Sequence, residues 1–447
     1  MKSLKKNFQE LLKYPSAVVG LILVLVLVAI SIYAMVTIPY NEAIILWRGG
    51  EDQWYRNPKY ALPKWVNYFR KDKLPESIAL STIDHPEYKT VETNEDGSAI
   101  ITIEIPFEYN YEILPVDLMI RFTSNFQEKA PFISVSWIRP DGEKIRIKNL
   151  SISPKQDYRV SQDKDLQKKL GGNKIEVGLF TDYKNDPKTI EKGKYTLKIE
   201  GATFEKDSDF DAEFIAYGKV AGLGGTDHLR RDLIVALLWG APIALAFGLL
   251  AAVGTTLTQM IIAALGTWFG GWVDILIQRI TEINLVLPFL PILIMIGTFY
   301  SRSIWVILTA VIILNIFGTG IKTFRAVFMQ TKETPYIEAA RAYGASNTRI
   351  IFSYMVPRIL PMLIPQFIIL IPSYVFLEAS LAVLGLGDPT LPTWGKVIDE
   401  ARANGALFQG WYYWVIEPSI LLMLTGLAFA MLGFSLDRIF NPRLREM

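Results

Sequence analysis

The chain has 447 residues, 51% of them hydrophobic, and a formal net charge of +2. Near-neutral charge gives no basic excess for nucleic acid, and the absence of cysteine removes disulfides, thiolate metal sites and cysteine nucleophiles together. Charged residues still make up 20%, too many for a wholly buried protein, so the average hides two kinds of region. The two histidines, His85 and His228, are far apart in sequence and suggest no metal site.

The first element follows Lys2, Lys5, Lys6 and Lys13. It is an uncharged apolar run from about Ala17 to Ile38, long enough to cross the hydrocarbon core of a bilayer. A signal peptide has a shorter apolar region ending at a small-residue cleavage site. This run ends in Val36-Thr37-Ile38-Pro39 and predicts a retained helix, with the lysines holding the N-terminus in the cytoplasm.

Residues 39–225 have the composition of a soluble domain. Apolar and polar residues alternate over Ala99–Ile105, Val116–Phe122, Phe132–Ile138, Lys144–Leu150, Lys174–Leu179 and Tyr195–Ile199, the period of half-buried strands. Pro140-Asp141-Gly142 predicts a hairpin turn. Short strands separated by turns predict a β-sandwich-like domain, with a short helix over Ser161–Leu170. An aromatic stretch, Trp54, Tyr55, Tyr60, Trp65, Tyr68 and Phe69, either docks a protein partner or serves as core and membrane-interface contacts.

Apolar runs return near Asp232–Leu265, Ile275–Thr298, Ile304–Ile321, Leu360–Leu377 and Val415–Leu436. With the first, the fold class is an α-helical polytopic membrane protein of six transmembrane helices, both termini inside, carrying an extracytoplasmic β-rich insertion. Charge bias agrees with that count. The inner set holds Lys322, Arg325, Lys332, Arg341, Arg349, Arg438, Arg443 and Arg445, whereas the outer loops near Tyr300 and Ala382 hold Arg302, Lys396 and Arg402. Trp239, Trp305, Trp411 and Trp414 near span ends suit an interfacial belt.

The segment 335–355 is the most informative. Pro335 suits the first turn of a helix, Glu338, Ala339, Ala340, Arg341 and Ala342 favour helix, and Gly344 suits the left-handed residue that ends one. A second helix follows from Asn347 to Met355 before Pro357. Either this is a rigid peg with a slim alanine side and an ion pair at Glu338 and Arg341, or an amphipathic helix lying on the bilayer.

These residues resemble a family. Glu338-Ala339-Ala340, Gly344 and Pro357 are similar to the coupling loop of importer permeases of the ATP-binding-cassette class. Gly225-Thr226-Asp227 with Arg231-Asp232 resembles the dipeptide/oligopeptide/nickel permease subfamily. So do Leu377-Glu378-Ala379-Ser380-Leu381, Leu384-Gly385-Leu386-Gly387 and Pro392-Thr393-Trp394-Gly395, and the ending Asp437-Arg438 with Asn441-Pro442-Arg443. The likeness covers residues 225–447. Where the family often has Gly, His and Asn, this chain has Arg230, Tyr354 and Arg358. The family's loop at 39–225 is also much shorter.

The resemblance implies a permease that forms half of a translocation path for peptides, or alternatively oligosaccharides or nickel. Its implied partners are a second permease, two ATP-binding subunits and an extracytoplasmic binding protein. Tyr336, Glu338, Ala339, Ala340, Arg341 and Gly344 would couple to an ATPase. No Gly-x-x-x-x-Gly-Lys-Ser/Thr sequence occurs, since Gly395-Lys396 is followed by Val397. ATP and magnesium therefore belong to partners, and the chain is not expected to be an enzyme. Asp227-His228 has no positioned serine beside it in the sequence. Charges near membrane depth, Asp274, Arg279, Glu282, Glu378 and Glu417, are candidate pore or gate residues, and the first three are spaced to pair on one helix face. A reading of another class is a membrane receptor with an outer β-domain.

Overall fold

The computed structural model describes residues 13–95, 97–182 and 186–440. Lys2, Lys5, Lys6 and Asn441-Pro442-Arg443, named above, lie outside them, as does Arg445. The chain divides into two compact units, Met1–Arg48 with Val235–Met447, and Gly49–Ile234.

In the helical unit, α1 (Pro15–Thr37) starts with proline at its first turn and packs on the last helix of the chain. Gly20 permits the approach, because a Cβ there would lie 2.9 Å from the Ala428 carbonyl. A second helix, α2 (Tyr40–Arg48), follows Pro39 directly. The compact β-unit thus begins at Gly49 rather than at Pro39. Ala43 of α2 joins Ala34 and Trp239 in one cluster, and Trp239 Nε1 donates to the Ile38 carbonyl that ends α1, at 3.1 Å.

Among its described residues the β-unit has two larger antiparallel sheets and a two-stranded ribbon of β8 (Thr181–Asp182) and β9 (Asp186–Ile190). One larger sheet has the order β1 (Ile78–Ser81), β11 (Asp209–Tyr217), β4 (Asp117–Asn125), β7 (Lys155–Arg159); the other β2 (Lys89–Thr93), β3 (Ala99–Tyr109), β10 (Gly193–Thr203), β5 (Phe132–Ile138), β6 (Lys144–Ser151). Alternation along β3 buries Ile101, Ile103, Ile105 and Phe107. They meet Ile120, Phe122, Phe210 and Phe214 from the other sheet in one core, as expected of a sandwich. Aromatic rings crowd its centre: Phe107 lies 5.4 Å from Trp137 and 5.1 Å from Phe214. The Arg139–Glu143 turn closes by hydrogen bonds, with Gly142 at φ +87° as the expected Pro-Asp-Gly turn requires. The helix expected over Ser161–Leu170 is α3 (Lys164–Lys169), capped by Asp163, whose carboxylate accepts from the Asp165 and Leu166 amides.

One strand expectation fails. Lys174–Leu179 is not a strand: Ile175–Phe180 forms the short helix α4. In six residues a period of two and a helical turn overlap, and packing decides. Gly178 lies so close to Leu170 that a Cβ would meet Cδ1 at 2.7 Å, and Trp137 Nε1 holds the Leu179 carbonyl at 3.0 Å.

After the β-unit comes α5 (Ile234–Phe269), at about 1.5 Å per residue longer than a bilayer core. Gly270 and Gly271, both at positive φ, end it, and α6 (Gly271–Val286) begins at once. The single span expected over Ile275–Thr298 is two helices, α6 and α7 (Phe289–Phe299), bent by 74°. Pro288 brings no N–H, and Leu287 before it is extended. The span expected over Ile304–Ile321 is also divided, into α8 (Ile304–Asn315) and α9 (Gly320–Lys332), bent by 48°. The longer helices that follow are α10 (Pro335–Ala342), α11 (Val356–Leu381), α12 (Trp394–Ala403) and α13 (Tyr413–Phe440). Among the described residues four helices, α1, α5, α11 and α13, are each long and apolar enough to cross a membrane, and up to six spans result if each bent pair counts as one.

Candidate functional site

The segment 334–355 builds its shape from local chemistry. Thr334 is extended before α10, Pro335 occupies its first turn, Glu338 lies in that turn and Arg341 in the last. Both charges therefore oppose the partial charge of their helix end. At the far end the Gly344 amide donates to the Arg341 carbonyl and the Ala345 amide to the Ala340 carbonyl, at 2.9 and 3.0 Å. With Gly344 at φ +77°, this is a Schellman cap. The Ser346 side chain then accepts from the Arg349 amide and caps the next turn. That turn, Asn347–Arg349, continues as a π-helical stretch, Ile350–Met355, into α11.

One side chain anchors α10. Ile337 is fully buried among Phe328 of α9, Trp268 of α5, and Ile350, Ile351 and Met355. Tyr336, Glu338, Ala339, Arg341, Tyr343 and Gly344 are exposed, Tyr343 at 92%, while Ala340 is half-buried. The expected Glu338–Arg341 ion pair does not form among the described residues. The Arg341 guanidinium instead lies 4.5 Å from the centre of the Trp268 ring. Lys332 Nζ donates to the Thr267 and Trp268 carbonyls at 2.8 and 3.1 Å, capping the end of α5. A short exposed helix is thus fixed from beneath to α5, α9 and the start of α11.

The charged gate candidates fall in different surroundings. Asp274 does not pair with Arg279 on its own helix face. Arg325 of α9 grips it through Nε at 2.8 Å and Nη2 at 2.5 Å, joining α6 to α9. Arg279 and Glu282 pair with each other at 2.8 Å and are exposed. Glu378 is buried in α11 within hydrogen-bonding reach of Thr393. Glu417 is half-buried near the start of α13.

Two neutral amides occupy the break between α8 and α9. Between α8 and α9 the Gly318 amide turns to the Asn315 carbonyl and the Ile321 amide to Gly318, so Leu314 and Phe317 lose their usual helical donors. Asn284 Nδ2, from α6, supplies both carbonyls at 3.0 and 3.3 Å. Gln259 Nε2, from α5, donates to the Asn315 carbonyl at 2.6 Å. Gly318 and Gly320 admit the Gln259 side chain, since a Cβ on either would lie 2.6 or 2.0 Å from its amide. A cavity of about 170 Å³ opens here, lined by Asn284, Asn315, Thr319 and apolar neighbours without a charged side chain.

Two other family-like motifs, around Trp394 and around Asp227, make packing contacts. The Trp394 indole lies on α5 and donates to the Leu237 carbonyl at 2.9 Å, and Gly240 leaves room for it. Asp227 and Arg231 form a buried pair at 2.6 Å, and the Asp227 carboxylate accepts from the Leu229 and Arg231 amides. Arg230 sits at φ +68°, a conformation that favours glycine. Its guanidinium donates to the Asn57 carbonyl at 2.6 Å and lies over the Tyr217 ring at 4.5 Å.

Residues 244–446 match the family model of the binding-protein-dependent transport system inner membrane component. The dipeptide transport system permease protein DppC of Alkalihalophilus pseudofirmus is 31% identical over 225 residues, which are 50% of this chain and 72% of that protein. The chain belongs to the binding-protein-dependent transport permease family. The glutathione transport system permease protein GsiD of Pectobacterium atrosepticum is 29% identical, with 50% of this chain and 73% of the relative covered. For the dipeptide permease DppC of Bacillus subtilis the figures are 28%, 50% and 69%. These relatives are named as transport proteins rather than enzymes. Within this membrane permease, sequence reasoning missed Gln259, Asn284, Arg325 and Trp268. Gln259 carries a signal: it is the lone amide in the apolar run of α5, and Gly318-x-Gly320 marks the place where it inserts.

Proposed function

We propose that this chain is the permease subunit of an ATP-driven peptide importer, forming half of its translocation path beside a second, related permease. The observation that carries the reading is the 31% identity with a dipeptide permease across 72% of that protein, joined to an exposed helix of the right build. In this reading α10 enters a groove on one of two ATP-binding subunits. Tyr336, Glu338, Ala339, Ala340, Arg341 and Gly344 lie at that contact, and hydrolysis belongs to the partner. Each bent pair counts as one span, giving six with both termini inside, and residues 49–234 face outward, where a binding protein delivers cargo.

The physical logic of coupling is a rigid transfer of motion. Closure of the ATPase pair moves α10. Ile337 passes that movement to Trp268, Phe328 and Met355 because a packed core shifts as a body. The Asp274–Arg325 pair ties α6 to α9, so the first half of one bent span moves with the second half of the other. The breaks at Leu287-Pro288 and Ile316–Thr319 then serve as hinges. Their neutral lining supports a cargo with amide groups over a metal ion, which calls for carboxylate or imidazole ligands.

The test is purification of the intact complex in mild detergent, followed by uptake of a mixed dipeptide pool into ATP-loaded vesicles. ATP-dependent uptake with recovery of a second permease and an ATPase is expected. Recovery of the chain without any ATPase, under conditions that preserve a known importer, would overturn the assignment. Uptake of nickel or oligosaccharide alone would overturn the cargo.

A further inference from the structure

The aromatic stretch near the start of the β-unit separates into two populations. Tyr55 is half-buried against Met119, Ile215 and Tyr217, and Tyr60 is also half-buried. Trp65, Tyr68 and Phe69 are exposed, Tyr68 at 88% and Phe69 at 84%. They lie on one short 3-10 helix, Lys64–Phe69, and Arg70, Lys71, Asp72 and Lys73 follow it, all exposed. Two large apolar rings facing water beside three cations and one carboxylate form a surface with no intramolecular reason to exist.

The loop is held rigidly. Asn67 Nδ2 donates to the Leu74 carbonyl and Oδ1 accepts from the Leu74 amide, each at 3.0 Å, closing residues 67–74 into a stapled ring. Leu74 beneath is buried. Trp65 meets Phe69 edge-on at 6.3 Å. Nearby cationic and acidic groups largely cancel: Lys64 pairs with Glu76 at 2.6 Å and Lys192 with Glu112 at 3.0 Å. Arg70, Lys71 and Lys73 remain against Asp72.

Its base is tied to the start of α5. The Lys64 amide donates to the Gly222 carbonyl at 3.0 Å. Two residues on, the Gly224 amide donates to Asp232, whose carboxylate also accepts from Ile234, the first residue of α5. The loop therefore leaves the β-unit at the end where the chain enters an apolar helix long enough to cross a membrane. Aromatic rings with adjacent lysine and arginine at such a level are the composition of a membrane-interface anchor.

We propose that loop 64–73 docks onto anionic lipid headgroups, with Tyr68 and Phe69 inserted at the headgroup level and Arg70, Lys71 and Lys73 on the phosphates. The loop holds the β-unit on the bilayer surface. The proposal depends on α5 spanning the membrane and is independent of cargo and of ATPase coupling.

Because the chain has no cysteine, Tyr68→Cys creates a single labelling site on the full chain. Bimane at that site is compared with bimane at Lys206→Cys, in the hairpin at the opposite end of β11. In nanodiscs containing phosphatidylglycerol the Tyr68 label should emit to the blue of the Lys206 label. It should be quenched several-fold more by brominated lipid and several-fold less by iodide. Charge reversal by Lys71→Glu with Lys73→Glu, both exposed, should remove most of the difference, as should discs of phosphatidylcholine alone. Equal iodide access at the two sites would overturn the proposal. So would protection of the Tyr68 label that appears only when the binding protein is added, which would assign the loop to a protein partner.

Discussion

Gly344 gives the sharpest perturbation of α10, the helix proposed to couple to the ATPase. Its φ of +77° is left-handed, yet no atom lies within 4 Å of the position a Cβ would take. A substitution there acts on backbone conformation alone, without a steric clash. Placing an L-residue in that conformation costs roughly 1–2 kcal/mol, and a β-branched residue lies at the upper end. That cost works against the two cap bonds, from Gly344 to Arg341 and from Ala345 to Ala340, and disfavours the capped turn by roughly 5–30-fold. Ile337 remains buried, so α10 itself persists and the direction of the chain into Asn347 is what is lost. For Gly344→Val we expect ATP-dependent uptake in reconstituted vesicles to fall by roughly that factor, with co-purification of the ATPase retained. Gly344→Asn, which tolerates left-handed backbone, should keep most of the activity. Equal uptake by the valine variant, the asparagine variant and the parent would refute the role assigned to this turn.

Three other outcomes follow from the geometry. Burial alone would raise the Asp163 carboxyl, but Lys148, Tyr158 and the amides of Leu166 and Asp165 outweigh it and hold the group down at about 2. Its contribution to β-unit stability, about 2 kcal/mol, is present above about pH 4 and is lost as pH falls through about 2. Hydrogen exchange of residues 144–170 in the full chain should show that loss, and Asp163→Asn should flatten the pH dependence. Replacing Asn284 by Leu leaves the Leu314 and Phe317 carbonyls without their side-chain donor and should destabilise the helical unit by about 1–2 kcal/mol. An unchanged melting temperature in nanodiscs would show that these bonds contribute nothing. Gly240→Ala places a Cβ 2.2 Å from Trp394 Cδ1 and should lower the same melting temperature through overpacking of about 1–3 kcal/mol, partly relieved by Trp394→Phe.

Much of the architecture was legible because it rests on local periodicity. β3 buries every second residue over its whole length, and that alternation reads directly. Its counterpart β11 was missed because Ala212–Tyr217 are buried consecutively. The strand lies between β1 and β4, with one face on the sandwich core and the other, through Ile215 and Tyr217, under Tyr55, so period two disappears. β1, β2 and β7 are edge strands of four or five residues, too short to stand out. The bent spans were missed for the opposite reason. Hydropathy runs unbroken through Leu287-Pro288, and a window that averages apolarity does not register a lost N–H.

The candidate site divides along the same line between local and distant information. Pro335, Glu338 and Gly344 announce a capped helix because each acts within one turn, and Arg279–Glu282 is legible as an i,i+3 pair. Asp274 was grouped with them on spacing, yet its partner Arg325 stands 51 residues away, and only the packing of α6 on α9 brings the two together. The same holds for Gln259, whose amide reaches Asn315 from 56 residues distant. Both long-range contacts fall on the helices that a coupled movement of α10 would have to displace. The exposed face proposed as the contact surface is therefore written locally, while the linkage that would carry motion away from it is written in pairs of residues that only the fold makes neighbours. Mutations that uncouple transport without loosening the ATPase should accordingly cluster at Gln259, Asp274, Asn284 and Arg325, and at the Gly344 turn, rather than on the exposed side chains of α10.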